Sequence, residues 1–195
     1  MRSDHPRRCG KRRRIRGGAG AVVTGRGGQT EYVSTRLAFE RLDPALQRRL
    51  EDSFAWHDYA YSRGKIAPDL ASPAERAALP PQCWRLVWKN PVNGRKALYM
   101  ASHTCAIEGM EVKAARELLA ELIEAATAPG ESYLHSWRGG DVVMWDNRAT
   151  MHRGRPWLVW EPRYMVRTTI SATAVDGLET MRGRCSSTRP PRADT

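Results

Sequence analysis

The sequence predicts a mainly β domain with helical cover, a β-sandwich or jelly roll, from three observations. Short runs rich in β-branched and aromatic residues recur between turn signals, two segments show helical periodicity, and no internal repeat is visible. A chain of 195 residues with 41% hydrophobic content can bury one sizeable core but not two.

Asp43-Pro44 reads as an N-cap followed by proline at the first helical position. Leu46, Leu50, Phe54 and Ala55 recur at helical spacing and predict a helix from Pro44 to about Tyr59. Trp84–Trp88 and Ala97–Ala101 read as strands flanking PVNGR, whose Asn93-Gly94 is a hairpin turn signal. Met110–Thr127 is the clearest helix. Ala115, Leu118, Leu119, Leu122, Ile123 and Ala126 share one face, and Pro129-Gly130 stops it. Asp141–Trp145 follows a Gly139-Gly140 turn as a strand, and Tyr164–Ala172 is a strand rich in β-branched residues.

Charge divides the chain into a body, 27–180, and two basic ends. The formal net charge is +11, of which residues 1–26 carry +8 and residues 181–195 carry +3, so the body is neutral. A neutral body argues against nucleic-acid binding through the folded domain. Residues 1–26 are Arg/Gly-rich without apolar periodicity and read as disordered or aberrant sequence, and 181–195 as a disordered tail. Binding to an anionic surface through these ends is a third, weaker reading. Cys9, Cys83, Cys105 and Cys185 form no C-x-x-C pair, which predicts reduced thiols. No apolar run approaches a membrane span or a signal h-region, so the expected compartment is the cytoplasm with no membrane contact. Homo-oligomerisation stays open.

The chemistry concentrates in Trp145–Thr169, WDNRATMHRGRPWLVWEPRYMVRTT. On a strand led by Arg163, alternation puts Arg163, Met165, Arg167 and Thr169 on one face. Two guanidiniums there either meet an anion, for which the arginine fork suits a carboxylate, or lie on a solvent face paired with acids. His152, after a buried strand that has turned, can bind a metal, act as a base or satisfy a core hydrogen bond.

HSWRGGDVVMWDNRATMHRG, His135 to Gly154, followed by EPRYMVRTTI, resembles the C-terminal signature of the TauD/TfdA family of non-haem Fe(II)/2-oxoglutarate-dependent dioxygenases. GGQTEY, Gly27 to Tyr32, is similar to the family's GG-x-T segment, and Gly94–Met110 resembles the 2,4-dichlorophenoxyacetate dioxygenase branch. The resemblance runs from about Gly27 to Ala174. It implies a double-stranded β-helix (jelly roll) core, with Fe(II), 2-oxoglutarate and O2 as the reacting set. His152 becomes the distal iron ligand and catalytic residue. Arg163 holds the far carboxylate of 2-oxoglutarate with Thr30, and Arg167 lies beside it, facing the cosubstrate or an anionic substrate. Trp145, Trp157 and Trp160 would wall the pocket. The implied function is hydroxylation or oxidative cleavage of a small carboxylate-bearing substrate with release of succinate and CO2.

One motif departs from the family. Its first two ligands form H-x-D about two dozen residues before GG-x-T, and no histidine here is followed two residues later by an acid. Asp4-His5 stands at about that distance, in reversed order. The Arg/Gly-rich start is what an out-of-frame or displaced beginning would produce, leaving the jelly roll incomplete on its N-terminal side. The alternative function is therefore a catalytically dead remnant or dicarboxylate-binding protein. His135, Trp137, Asp146 and Asn147 read as packing or turn-closing residues, His57-Asp58 as a helix end, and His103 as a core histidine or a substrate contact.

Overall fold

The computed structural model describes residues 13–171, 173–177, 181–182, 185 and 190. Three antiparallel three-stranded sheets and a hairpin make up the β framework. The first has the order β11-β1-β9, from β1 (Arg13–Val22), β9 (Val142–Asp146) and β11 (Tyr164–Ser171). The second, β10-β2-β8, comprises β2 (Thr30–Ser34), β8 (Ser132–His135) and β10 (Thr150–Gly154). The third, β4-β3-β7, comprises β3 (Phe54–His57), β4 (Gln82–Arg85) and β7 (Thr104–Ile107). The hairpin pairs β5 (Val87–Lys89) with β6 (Lys96–Leu98).

The expected C-terminal helix is α5 (Val112–Ala126), whose N-cap Glu111 accepts hydrogen bonds from the Lys113 and Ala114 amides. It buries Ala115, Leu119, Leu122 and Ala126 against Val33, Ala38, Phe39, Leu50, Ile107 and their neighbours. Phe39 and Ala38 come from α1 (Thr35–Glu40), so both helices cover the β2 sheet on the same side. Asp43 caps α2 (Pro44–Glu51) as its sequence indicates, accepting from the Ala45 and Leu46 amides.

That helix stops at Glu51 instead of reaching Tyr59. Phe54–His57 becomes β3 because ladders to β4 and β7 satisfy its main chain on both edges while burying Ala55, Trp56 and His57. His57-Asp58 consequently begins a helix, α3 (Tyr59–Gly64), with Asp58 capping Ala60. A further short helix, α4 (Pro73–Ala78), carries a capping box between Ser72 and Glu75. Asn93-Gly94 does sit in the hairpin loop, with Gly94 at φ 72°. The run Trp84–Trp88 splits at Leu86, and its first half pairs with β3.

The basic N-terminal segment differs most from expectation. Residues 1–12 lie outside the described residues, but Arg13–Val22 forms β1, the central strand of its sheet. A ladder uses main-chain groups that Gly and Ala possess like any residue, so the absence of apolar periodicity does not exclude a strand. Gly20 lies buried where an added Cβ would meet Val23 Cγ1 at 2.9 Å and the Trp137 ring at 3.4 Å.

Most of the C-terminal tail also lies outside the described residues, but Met181 is buried with Trp84 and Trp88. Cys185 is joined to Cys83 as a disulfide, which corrects the expectation of reduced thiols. Their Cα atoms are 6.3 Å apart although 102 positions separate them, so only the fold reveals the pairing. Among the described residues Cys105 is the free cysteine, and burial pushes its thiol up to about 11. No helix among the described residues is long and apolar enough to cross a membrane.

Leu119→Ala should destabilise the domain by about 2–5 kcal/mol through the cavity it leaves. Arg95→Ala, which removes an exposed pair with Glu40, should cost about 0–1 kcal/mol. Urea denaturation of both variants checks the contrast.

Candidate active site

Two sheets face one another across the site. Trp145 of β9 approaches the rings of Tyr32 on β2 and His152 on β10, with centroid distances of 5.2 and 4.9 Å. His152 and Tyr32 are cross-strand partners in the ladder and stack at 6.1 Å. Alternation along β2 therefore points Thr30 and Tyr32 into this space, while Glu31 and Val33 lie on the other face. Trp145 Nε1 is buried here without a hydrogen-bond partner among the described residues, while Tyr32 Oη is met by the Thr30 side chain. An unpartnered indole N–H beside an imidazole marks a place for a polar ligand.

Arg163 reaches the same strand from the opposite direction. It immediately precedes β11, and its Nη2 donates to the Gly28 carbonyl at 3.1 Å while the guanidinium lies 4.9 Å from the Trp157 ring centroid. Gly27 and Gly28 adopt φ of 75° and 69°. A Cβ at Gly28 would stand 2.8 Å from Thr24 Oγ1 and 3.2 Å from Arg163 Nε; at Gly27 it would collide with the Pro156 carbonyl oxygen. The two glycines thus supply both a left-handed backbone and the close approach of an arginine. Two residues on, buried Thr30 accepts from Trp137 Nε1 at 2.9 Å and also shares a side-chain hydrogen bond with Tyr32.

Acids neutralise the neighbouring cations but not Arg163. Arg153 and Arg155 pair with Glu31, which also accepts from Ser132 Oγ. The hydrogen bonds from Arg153 and Ser132 hold the Glu31 carboxyl below the usual glutamate range. Arg148 spans Asp146 and Asp176 and lies over Trp88. Glu161, two residues from Arg163, accepts instead from the Gly25 amide at 2.7 Å. Arg163 has no acidic partner among the described residues.

The sequence-selected residues are only partly assembled. His152, Thr30 and Arg163 converge on β2 and the loop before it. Arg167 is exposed on β11 opposite Gly18 and contacts none of them, since a glycine partner leaves that stretch of the face uncovered. Trp145 and Trp157 line the site as expected, while Trp160 is 76% exposed and does not. Trp137, read as a packing residue, turns out to orient Thr30; no sequence spacing signals that bond. His135 closes the turn before β9 through Asp141, and Asp146 closes the next turn through the Arg148 amide. A cavity of about 500 Å³ opens beside the site, lined by His57, Tyr99, His103, Arg148, Thr150 and His152 among others. It touches neither Thr30 nor Arg163.

The metal-ligand set is not complete in this arrangement. An iron facial triad needs two imidazoles and a carboxylate on one side of the ion. Among the described residues no three His, Cys, Asp or Glu side chains gather to hold a metal. His152 is one imidazole, and the described residues do not fit the rest of the triad.

The chain is similar to several known proteins. Residues 20–169 match the model of the family described as taurine catabolism dioxygenase TauD, TfdA family. The chain is 40% identical over 148 residues to the alpha-ketoglutarate-dependent 2,4-dichlorophenoxyacetate dioxygenase of Burkholderia sp. (strain RASC), covering 76% of this chain and 50% of that protein. It is 35% identical to the (S)-phenoxypropionate/alpha-ketoglutarate-dioxygenase of Sphingobium herbicidovorans, covering 77% and 54%. The chain thus spans about half the length of the curated relatives it matches. Among solved structures, AAD-2 in complex with Mn(II) and N-oxalylglycine superposes with TM-score 0.78 at 38% identity, over 83% of this chain and 64% of that one. A taurine dioxygenase from Burkholderia xenovorans shares the fold, with TM-score 0.70 at 24% identity over 83% and 53%.

Because its folded pKa is depressed, Glu31 contributes stability that is complete above the ordinary glutamate value and is lost as pH falls through the lower folded value. Thermal melts of Glu31→Gln should therefore show a flatter acid limb than the parent.

Proposed function

The chain belongs to the TauD/TfdA family of 2-oxoglutarate-dependent dioxygenases, a jelly-roll family, and we propose that it recognises 2-oxoglutarate together with a small carboxylate-bearing substrate. The observation that carries this reading is Arg163, a cation held in place by a main-chain carbonyl and an indole face and left without an acidic partner among the described residues. Its fork receives the distal carboxylate, and Thr30, oriented by Trp137, donates a second hydrogen bond. Gly27 and Gly28 let the backbone approach both. The substrate occupies the cavity beside His152, where His57, His103 and Tyr99 form the polar wall.

In a site with a full iron triad, the family's reaction would use one O2 per turnover, one oxygen atom going to succinate as 2-oxoglutarate loses CO2 and the other serving to hydroxylate or oxidatively cleave the substrate. His152 is the residue of this chain assigned to the metal. The phenoxy-acid names of the relatives favour an aryloxyalkanoate among carboxylate substrates. A second reading, a dicarboxylate-binding protein without turnover, is favoured by the lack, among the described residues, of three side chains gathered to hold a metal. Release of succinate dependent on 2-oxoglutarate separates the two.

Isothermal titration with 2-oxoglutarate tests the anchor. Arg163→Lys keeps the charge but loses the fork and should weaken binding roughly tenfold or more. Gly28→Ala should weaken it comparably by displacing Arg163. Unchanged affinity in both variants would remove Arg163 from the role.

A further inference from the structure

The anion anchor and the metal-ligand set part company in this chain. Strand β1 lies between β9 and β11 in antiparallel register with both: Gly17 stands opposite Met144 and Thr168, and Gly18 opposite Val143 and Arg167. It is the central strand of the sheet whose Trp145 closes over His152. Its sequence, RRIRGGAGAV, contains no His, Cys, Asp or Glu. Arginine is always protonated and has no lone pair to offer, and Ile, Gly, Ala and Val have no ligating side-chain atom. The central strand of that sheet therefore has no metal-ligating side chain to offer.

Across from it His152 stands on β10 and His57 and His103 line the neighbouring cavity, yet the described residues contain no group of three metal-ligating side chains. The anchor, in contrast, is built without reference to a metal. Arg163 is fixed by Gly28 and Trp157, and Thr30 by Trp137. These contacts place a cation and a hydroxyl on the same two-glycine turn and strand start before any ligand arrives, so little ordering is left for the ligand to impose.

We infer that dicarboxylate recognition in this chain is uncoupled from metal: a 2-oxoglutarate-like dicarboxylate is held by Arg163 and Thr30 whether or not a divalent ion is present. The inference rests on the anchor role of those two residues and goes beyond it in what it says of the metal. Where a keto acid chelates a protein-bound ion, each tightens the other's binding by the same factor. Here that factor is one.

The test uses the full chain and N-oxalylglycine, titrated calorimetrically after chelator treatment and again with saturating Mn(II). The expected result is affinities that agree within about twofold, well short of the roughly 5–150-fold effects that coupled sites display. Asp4→Asn with His5→Gln should change neither titration. Tightening of N-oxalylglycine by about tenfold or more with Mn(II), lost in His152→Ala, overturns the inference and leaves the anchor standing. Absence of N-oxalylglycine binding in both conditions, with a cooperative thermal melt showing folded protein, overturns the anchor and the inference together.

Discussion

Side-chain alternation on β2 is the constraint from which the rest follows. The strand runs between β8 and β10 and must serve two interiors at once. Val33 belongs to the core built with α1 and α5, while Thr30 and Tyr32 face the space closed by Trp145. A shift of one residue would exchange these sets and put a threonine hydroxyl into the apolar core. Glu31 helps fix the register, because its buried carboxylate must meet Arg153 and Arg155 on one side and Ser132 on the other. Leaving that carboxylate unpaired would be far costlier than a lost surface bridge.

The register delivers His152 opposite Tyr32 and Gly154 opposite Thr30, so β10 brings its imidazole to the strand that the two-glycine turn begins. Arg155, just past the end of β10, closes the other side by donating its amide to the Gln29 carbonyl. The loop that continues from it returns through Trp157, which bridges Gly27, and then presents Arg163 to Gly28. One glycine pair thus receives both ends of the segment between His152 and Arg163. The stretch between those two residues is a loop that leaves and re-enters the same spot.

What was legible in the sequence was whatever depends on local chemistry. Asp43-Pro44, the apolar face of α5 and the Asn93-Gly94 loop all follow from capping, periodicity and turn preference within a few residues. The false extension of α2 arose because Leu50 and Phe54 happen to stand at helical spacing, while tertiary ladders on both edges of Phe54–His57 decide the outcome. β1 was illegible for the converse reason: Gly and Ala carry no pattern, yet pair as well as other residues once two strands flank them. In the site, motif resemblance pointed to His152, Thr30 and Arg163, which the fold gathers around β2 and the turn before it. Trp137's bond to Thr30 and the Cys83–Cys185 disulfide depend on contacts between distant segments that no spacing encodes.

The contrast among arginines explains why one of them is available to a ligand. Arg148 is buried where a free guanidinium would be costly, Arg153 and Arg155 are exposed around buried Glu31, and each of the three is met by a carboxylate of the chain itself. Their charge is consumed internally and their role is to tie strands and turns together. Arg163 is held by a different device. A carbonyl oxygen and an aromatic face offset part of its desolvation without cancelling its charge, and Glu161, which could have cancelled it, is drawn off by the Gly25 amide. An acid at Arg163 would give a tighter domain with no affinity for anions. The arrangement forgoes that stabilisation and keeps the cation on the turn that the glycines open to it.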